Sequence, residues 1–380
     1  MWISFFLVLS ILTGQLIKFP LFGIQGPILL DFFVFLTCLL GIFHLKFKLK
    51  KPKPTIIFGL VFTMISTFSL VLTPLHLKLN EYAISFSYTV RFFLYLLLGW
   101  IIYSGAFLNF KKQLNKTLLL SGVGLAILGL LQLIFFPNLE FLQNMGWDPH
   151  YFRTVSTFLD PNFAGAFFVL TLLLIGSDKK STKPAILFFV TIYLALLTTF
   201  SRSSYLMFLT SGLVYAFLVK SRKTAIFTGV LFIGLLLGFQ IYSQLVAQPR
   251  GINRDQSASF RLDTWQQGLT LFTKSPILGV GFNSYKYAIK EYLLADSAFL
   301  DSRGASTNDS SLLYVLSTTG LVGFLTYILF LLSLTKTSLK NKLVLTAAII
   351  GLIVHSFFAN SLFYPFILVW VLLKAVDIKS

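Results

Sequence analysis

In a chain of 380 residues, 56% apolar side chains against only 12% charged ones, with a mean hydropathy of +0.82, exclude a soluble globular domain, whose surface would precipitate it. The formal net charge is +18, from 31 lysines and arginines against 13 acids. Its distribution assigns it to anchoring at a membrane surface and to anionic lipid rather than to nucleic acid.

A spanning helix needs about 20 mostly apolar residues to cross a hydrocarbon core of roughly 30 Å. About twelve stretches read as such spans, near 2–19, 24–44, 55–75, 82–103, 117–136, 162–176, 185–200, 204–219, 224–241, 311–334, 343–359 and 361–376. The first is followed at once by another and shows no small-residue cleavage site, so it reads as a retained helix. The last two are short and separated only by NSLFYP (360–365), which leaves a ten- or eleven-span version open. Alternate connections are short and basic: KFKLKKPK (46–53), KKQLNK (111–116), SDKKSTKP (177–184), KSRK (220–223) and KTSLKNK (336–342). Cytoplasmic loops retain lysine and arginine, so these fall inside and both termini are expected in the cytoplasm. Cys38 is the only cysteine, which excludes a disulfide within the chain and a cysteine metal site. With no internal repeat and no soluble segment, residues 1–380 read as one membrane domain. The fold class is an all-α polytopic integral membrane protein.

Two outer connections exceed a tight turn, 137–161 and the much longer 242–310, inserted between spans 9 and 10. Long loops in compact proteins are often functional. In RLDTWQQGLTLFTKSPILGVGFNSY (261–285), Leu262, Trp265, Leu269 and Phe272 recur at helical spacing until Pro276. This predicts a short interfacial helix led by Arg261, then a glycine-bearing turn, with a second helix over 284–299.

The cations sort by type. The inner side carries lysine almost exclusively, with Arg222 the one exception, whereas the outer side holds Arg153, Arg202, Arg250, Arg254, Arg261 and Arg303. Either residue would serve for anchoring. A planar guanidinium with a fork of donors suits bidentate grip on phosphate or carboxylate. Arg250, Arg254 and Arg303 can be explained by pairing with loop acids such as Asp255, Asp263 and Asp301. Arg202 stands in TTFSRSSYLM (198–207) at the mouth of two spans with only serines and threonines beside it. A charge at such a place calls for a cavity and a partner, here from elsewhere in the fold or from an anionic ligand. Arg261 has Trp265 one turn later on the same face. Arg153 is the third candidate.

Four segments in order carry a resemblance. TFSRSSYL (199–206) is similar to the serine–arginine signature of the O-antigen ligase and O-antigen polymerase superfamily. RTVSTFLDPNFAG (153–165) resembles the family's segment ending in Pro-Asn before a span, which brings in Asn162. RLDTWQQGLTLFTKSPILGVGFNSY (261–285) resembles its Arg-x-x-x-Trp helix and Pro-x-x-Gly-x-Gly turn. SSLLYVLSTTGLVGFL (310–325) resembles the span after its large loop. The match covers roughly 150–335; the amino-terminal third agrees in hydropathy alone.

The resemblance implies a membrane glycosyltransferase of the cytoplasmic (inner) membrane with an extracytoplasmic active site. It would take glycan from a polyprenyl-pyrophosphate carrier to a glycan or lipid acceptor, with no cofactor, metal or nucleotide sugar. Arg202, Arg261 and Arg153 would bind the pyrophosphate, with Trp265, Asn308 and Asn162 in support. Ligases carry a histidine where Asp309 stands here, after Asn308. Asp309 is either a general base for the acceptor hydroxyl or the N-cap of the next span. Losing that histidine favours a polymerase of oligosaccharide repeat units over a ligase acting on lipid A core. His150 and His355 are further possible bases. A lipid-linked glycan transporter is the rival from another class; it would place charges mid-span, where only Asp31 and Arg91 stand.

Overall fold

A computed structural model describes residues 2–19, 26–177, 182–250, 256–335 and 341–376. Each of the twelve apolar stretches contains one α-helix: α1 (Trp2–Thr13), α2 (Leu29–His44), α3 (Pro54–Val71), α4 (Leu79–Ser104), α5 (Leu108–Phe135), α6 (Pro161–Ser177), α7 (Lys183–Thr199), α8 (Arg202–Leu218) and α9 (Arg222–Tyr242) before the large loop. After it come α13 (Ser311–Thr335), α14 (Asn341–His355) and α15 (Pro365–Val376), while the loop supplies α10 (Gln256–Lys274), α11 (Tyr285–Glu291) and α12 (Ser297–Asp301). Among the described residues, α3, α4, α5, α9 and α13 are long and apolar enough to cross a membrane. The remaining apolar helices are shorter, and two of them form the centre. Every residue of α6 from Ala164 to Leu174 is buried, as is every residue of α15 from Pro365 to Lys374. A helix that is apolar and covered all round belongs inside a bundle. At the other extreme α9 exposes Ile226, Val230, Ile233 and Leu237. An apolar stripe of that length facing outward requires lipid rather than water. The protein is an integral membrane protein.

Three sequence expectations need correction. The 343–359 stretch is helical only to His355, and the turn Ser361–Phe363 separates α14 from α15. The helix expected over 284–299 is broken into α11 and α12, because Asp296 caps a new helix by accepting Phe299 N–H at 2.7 Å. Arg261 does not lead α10; the helix begins at Gln256, so Arg261 sits in its second turn. The face of α10 turned to the protein is its small-residue face, and Leu262 and Leu269 lie outside, as an interfacial helix allows. Thr264, Gly268 and Leu271 are buried, whereas Leu262 and Leu269 are exposed. The small residues permit close approach: a Cβ on Gly268 would lie 2.7 Å from Asn308 Nδ2.

The glycine turn after α10 has a structural purpose. The α13 helix is interrupted at Gly320, whose φ of 62° and ψ of −167° leave carbonyls and N–H groups without helical partners. The Pro276–Gly281 turn supplies them. Leu321 N–H donates to Pro276 O at 2.8 Å, and Val280 and Gly281 N–H donate to Ser317 O and Thr318 O, each at 3.0 Å. Gly279 and Gly320 both have positive φ, and a Cβ on either would strike the other strand's backbone at 2.3 and 2.2 Å. Irregular backbone at this depth is tolerated when protein satisfies it.

The ends of α1, α3, α5, α7 and α14 and the starts of α6, α8 and α13 gather on one face with the large loop. Gln15 N–H bonds to Thr157 O, His76 N–H to Glu291, Thr73 Oγ1 to Val280 O and Ser311 N–H to Ser356 O. In the first turn of α2, Asp31 receives Arg91 Nε at 2.8 Å, Arg91 Nη2 at 2.7 Å and the Tyr95 hydroxyl at 2.8 Å. Its second oxygen also accepts Ile28 N–H, closing the first turn of α2. Asp31 and Arg91 thus bond to each other and pin α2 to α4.

Candidate active site

The first half of the site is built where α7 ends and α6 and α8 begin. Phe200 caps α7 in the left-handed region (φ 47°), and Ser201 then caps α8 by accepting Ser204 N–H at 3.3 Å. Leu159, also left-handed (φ 56°), precedes Asp160, which caps α6 by accepting Asn162 N–H at 2.6 Å and Phe163 N–H at 3.2 Å. Pro161 occupies the first helical position, where its missing N–H costs nothing. Two helix N-termini therefore open side by side, and both carry partial positive charge. Their approach depends on Gly165, since a Cβ there would fall 2.4 Å from Ser204 Oγ. Asn162 ties the node together. Its Oδ1 accepts the Ser201 hydroxyl at 2.7 Å and the Ser203 hydroxyl at 3.2 Å, and its carbonyl accepts the Ser204 hydroxyl at 3.1 Å. Below them lies His355, fully buried, with Nε2 at 3.3 Å from both Ser203 Oγ and Ser204 Oγ.

Arg202 is exposed at the first turn of α8, its guanidinium 5.9 Å from the Phe239 ring. Arg153 reaches from the 137–161 connection to the end of α7, donating Nε to Thr199 O at 2.8 Å and Nη2 to Phe200 O at 3.4 Å. Two of its donors thus satisfy orphan carbonyls of α7, a bracing role that spacing alone did not reveal.

The second half is carried by α10 and the residues before α13. Asn308 is fully buried. Its Nδ2 donates to Thr264 O and, at 3.3 Å, to the Tyr285 hydroxyl, while its Oδ1 accepts Ser310 N–H at 2.8 Å. This one amide locks α10, α11 and the start of α13 together. Trp265 fixes the other side, its indole N–H donating to Phe357 O at 3.1 Å. Arg261 lies 5.9 Å from the Phe358 ring, against which Trp265 also packs, so the two do share a face. Ser310 makes the capping bond to α13, accepting Leu313 N–H at 3.4 Å. Asp309 is left to other partners, with the Thr264 hydroxyl in reach and the Arg261 charge acting on it.

Electrostatics join the halves. Burial holds the Arg261 guanidinium below its ordinary value; Asp309 opposes that, Arg202 adds to it and Asp160 opposes it again. Burial raises the Asp309 carboxyl to about 6, Arg261 pulls it down, and the Asp148 and Asp160 charges push it up. Asp160 is itself raised by burial, against the pull of its two capping N–H groups. Arg202, Arg261 and Asp309, far apart in sequence, therefore share one electrostatic environment. Asp148 and Asp160 were missed as members of it. Asp160 had a signal, an Asp before Pro at a helix start, but only the fold brings it to α10. His355 had been considered as a base; its Ser203 and Ser204 contacts place it under the serine–arginine turn. Arg250 donates to Val246 O and lies over Phe152, and Arg303 lies over Trp147. Arg254 and Asp255 fall outside the described residues.

Such a site can hold an anion on two guanidiniums and two helix N-termini, with a carboxylate beside it. Searching curated proteins returned no match. Residues 187–328, from α7 into α13, match the family model described as O-antigen ligase. That span contains Arg202, Arg261 and Asp309, while Arg153 and Asp160 precede it. The match agrees, over this segment, with the resemblance to the O-antigen ligase and polymerase superfamily read from the sequence.

Proposed function

We propose that this protein is a polymerase that joins polyprenyl-pyrophosphate-linked oligosaccharide repeat units at the outer face of the cytoplasmic membrane, with both termini inside. The observation that supports the reading is that Arg261 is acted on by both the Asp309 carboxyl and the Arg202 charge, residues remote from it in sequence. Arg202 and Arg261 hold the pyrophosphate of the donor, and the N-termini of α6 and α8 add to the positive field. Asp309 accepts the proton of the acceptor hydroxyl as its oxygen attacks the anomeric carbon. The bond from that carbon to the pyrophosphate oxygen breaks, and its electron pair stays on the leaving group, where the guanidiniums stabilise it. One displacement inverts the anomeric centre. A carboxyl near 6 suits this role, being ionised at neutral pH yet more basic than a free aspartate. Metal ions have no part in the scheme. Arg153 supports it indirectly by fixing the α7–α8 turn, and Asn162, Asn308 and Trp265 hold the two halves in register.

The test is the glycan profile of a strain lacking the protein, with wild-type or Arg261→Ala copies returned. Single repeat units without long chains, in the deletion and in the Arg261→Ala strain, would support a polymerase. The matched family's description favours a second reading, transfer of finished chains to a final acceptor. Long chains stranded on the carrier would establish that ligase instead. An unchanged profile would reject transfer altogether.

A further inference from the structure

Between α6, α7, α8 and α9 lies a cavity of about 70 Å³, set toward the ends of these helices that face the basic connections. Its walls follow from how α9 is attached. α9 meets α8 where a Cβ on Gly212 would fall 2.5 Å from Thr228 Cγ2, and it meets α7 where the Tyr193 hydroxyl donates to Leu231 O at 2.8 Å. Phe189 and Phe227, with ring centres 5.8 Å apart, close the α7 side. Gly176 of α6 marks the mouth: a Cβ there would meet nothing within 4 Å, and both Gly176 and Phe227 are exposed. Because α9 turns an apolar stripe outward, this mouth faces lipid hydrocarbon rather than water.

The lining is almost wholly apolar but graded. Val169, Phe208 and Leu231 form the deep end, whereas Tyr215 and Thr224 stand nearest the basic ends. Two of its hydroxyls are already used, Ser211 donating to Phe208 O and Thr224 to Ser221 Oγ. A small apolar cavity of this kind takes hydrocarbon more readily than water. At 1.5 Å per residue, Tyr215 lies roughly 8 Å from Lys220 along the helix and Phe208 roughly 18 Å. The second distance is close to the ~15 Å depth of one leaflet's hydrocarbon. The connections at this end, 177–184 and 220–223, hold six basic residues against one acid, and Lys183, Lys220, Arg222 and Lys223 are exposed. Arg222 and Lys223 open α9 with no acid in its first turn, against the sense of the helix dipole, so an anion is favoured beside them.

We propose that this cavity and the basic residues at its mouth bind one anionic phospholipid, an acyl chain lying between α6 and α9 and the phosphate at Lys220, Arg222 and Lys223. The site does not depend on the glycan-transfer reading. An isoprenoid tail hanging from Arg202 would enter from the opposite end and make no use of these charges. The test is native mass spectrometry of the full-length protein, delipidated in detergent and titrated with phosphatidylglycerol or phosphatidylcholine of the same acyl chains. Wild type is expected to retain one phosphatidylglycerol and to bind phosphatidylcholine about tenfold or more weakly. The Lys220→Gln/Arg222→Gln/Lys223→Gln protein should lose that preference. Gly176→Ala, Gly176→Leu and Gly176→Phe, each a better helix former than glycine, should weaken retention in that order as the mouth fills, by about tenfold for the largest. Equal retention of the two lipids by wild type, or none of either, overturns the proposal. Retention unchanged in Gly176→Phe places the chain elsewhere and overturns it too. If Gly176→Ala loses the lipid as fully as Gly176→Phe, the loss is structural and the proposal falls. It falls also if geranylgeranyl phosphate displaces phosphatidylglycerol and binds the triple glutamine protein as well as wild type, because the cavity would then belong to a carrier tail.

Discussion

Arg91 and Arg261 are the same residue in two settings, and the contrast shows how this chain spends charge. Arg91 lies among spanning helices, meets Asp31 through two bonds of 2.7 and 2.8 Å, and leaves the carboxylate further satisfied by Tyr95 and Ile28 N–H. Every strong group there has a complementary one, and the outcome is a rivet between α2 and α4. Arg261 sits at the loop-rich face among Asp309, Asp160 and Arg202, with a like charge close enough to matter. Charge met bond for bond makes structure; charge of both signs gathered at a loop-rich face is the setting we propose for a ligand.

The comparison breaks most visibly at the rivet. Asp31→Ala would leave Arg91 buried and unpaired, at a cost of about 3–5 kcal/mol, and thermal unfolding in detergent should show it. Replacing both residues with apolar ones of similar size should recover most of that loss, because the penalty belongs to the orphaned charge. The catalytic side should behave oppositely. Asp309→Asn is expected to slow transfer by roughly 10²–10⁴ while unfolding stays near wild type. In wild type the rate should climb as pH rises through about 6, where Asp309 ionises, and level off above it. Stability should run the other way. With the folded carboxyl raised above its unfolded value, the folded state holds the proton longer, so stability declines as pH rises from the free aspartate range to about 6 and is flat beyond. Asp309→Asn should abolish both trends. The smallest effect is expected at the α8 cap. Ser201→Ala removes the acceptor for Ser204 N–H and should cost about 1 kcal/mol. It should lower the transfer rate as well, since the same hydroxyl bonds to Asn162.

Much of this was legible from residues alone, and the reason is periodicity. Apolar runs between basic or glycine-bearing breaks located a helix in each of twelve stretches, because a lipid-exposed backbone has few alternatives to helix. Arg202 and Arg261 stood out because a guanidinium beside serines, or over a Trp one turn away, has no bland explanation nearby. What the chain concealed were relations between elements. Asp31 and Arg91 could be read as two mid-span charges; that they bond depends on the register of α2 against α4. Asp160 is a readable helix cap, yet its influence on Asp309 exists only once the fold brings the starts of α6 and α13 near each other. The packing face of α10 was not legible either: the recurring Leu262 and Leu269 mark its exposed side, as an interfacial helix allows, while Thr264 and Gly268 make the close contact with protein. The break at Gly320 was invisible for a similar reason. Its partner, the turn at Pro276, looked like a simple connection.

The most direct measurement is single-turnover glycan transfer by purified Arg261→Ala protein, with its unfolding temperature recorded beside that of Asp31→Ala. The expected result is a rate lowered by about 10²–10³ at an unfolding temperature no lower than wild type, since removing Arg261 relieves its burial and its repulsion from Arg202. A wild-type rate, or a fall in unfolding temperature as large as that of Asp31→Ala, would contradict it and make Arg261 a rivet like Arg91.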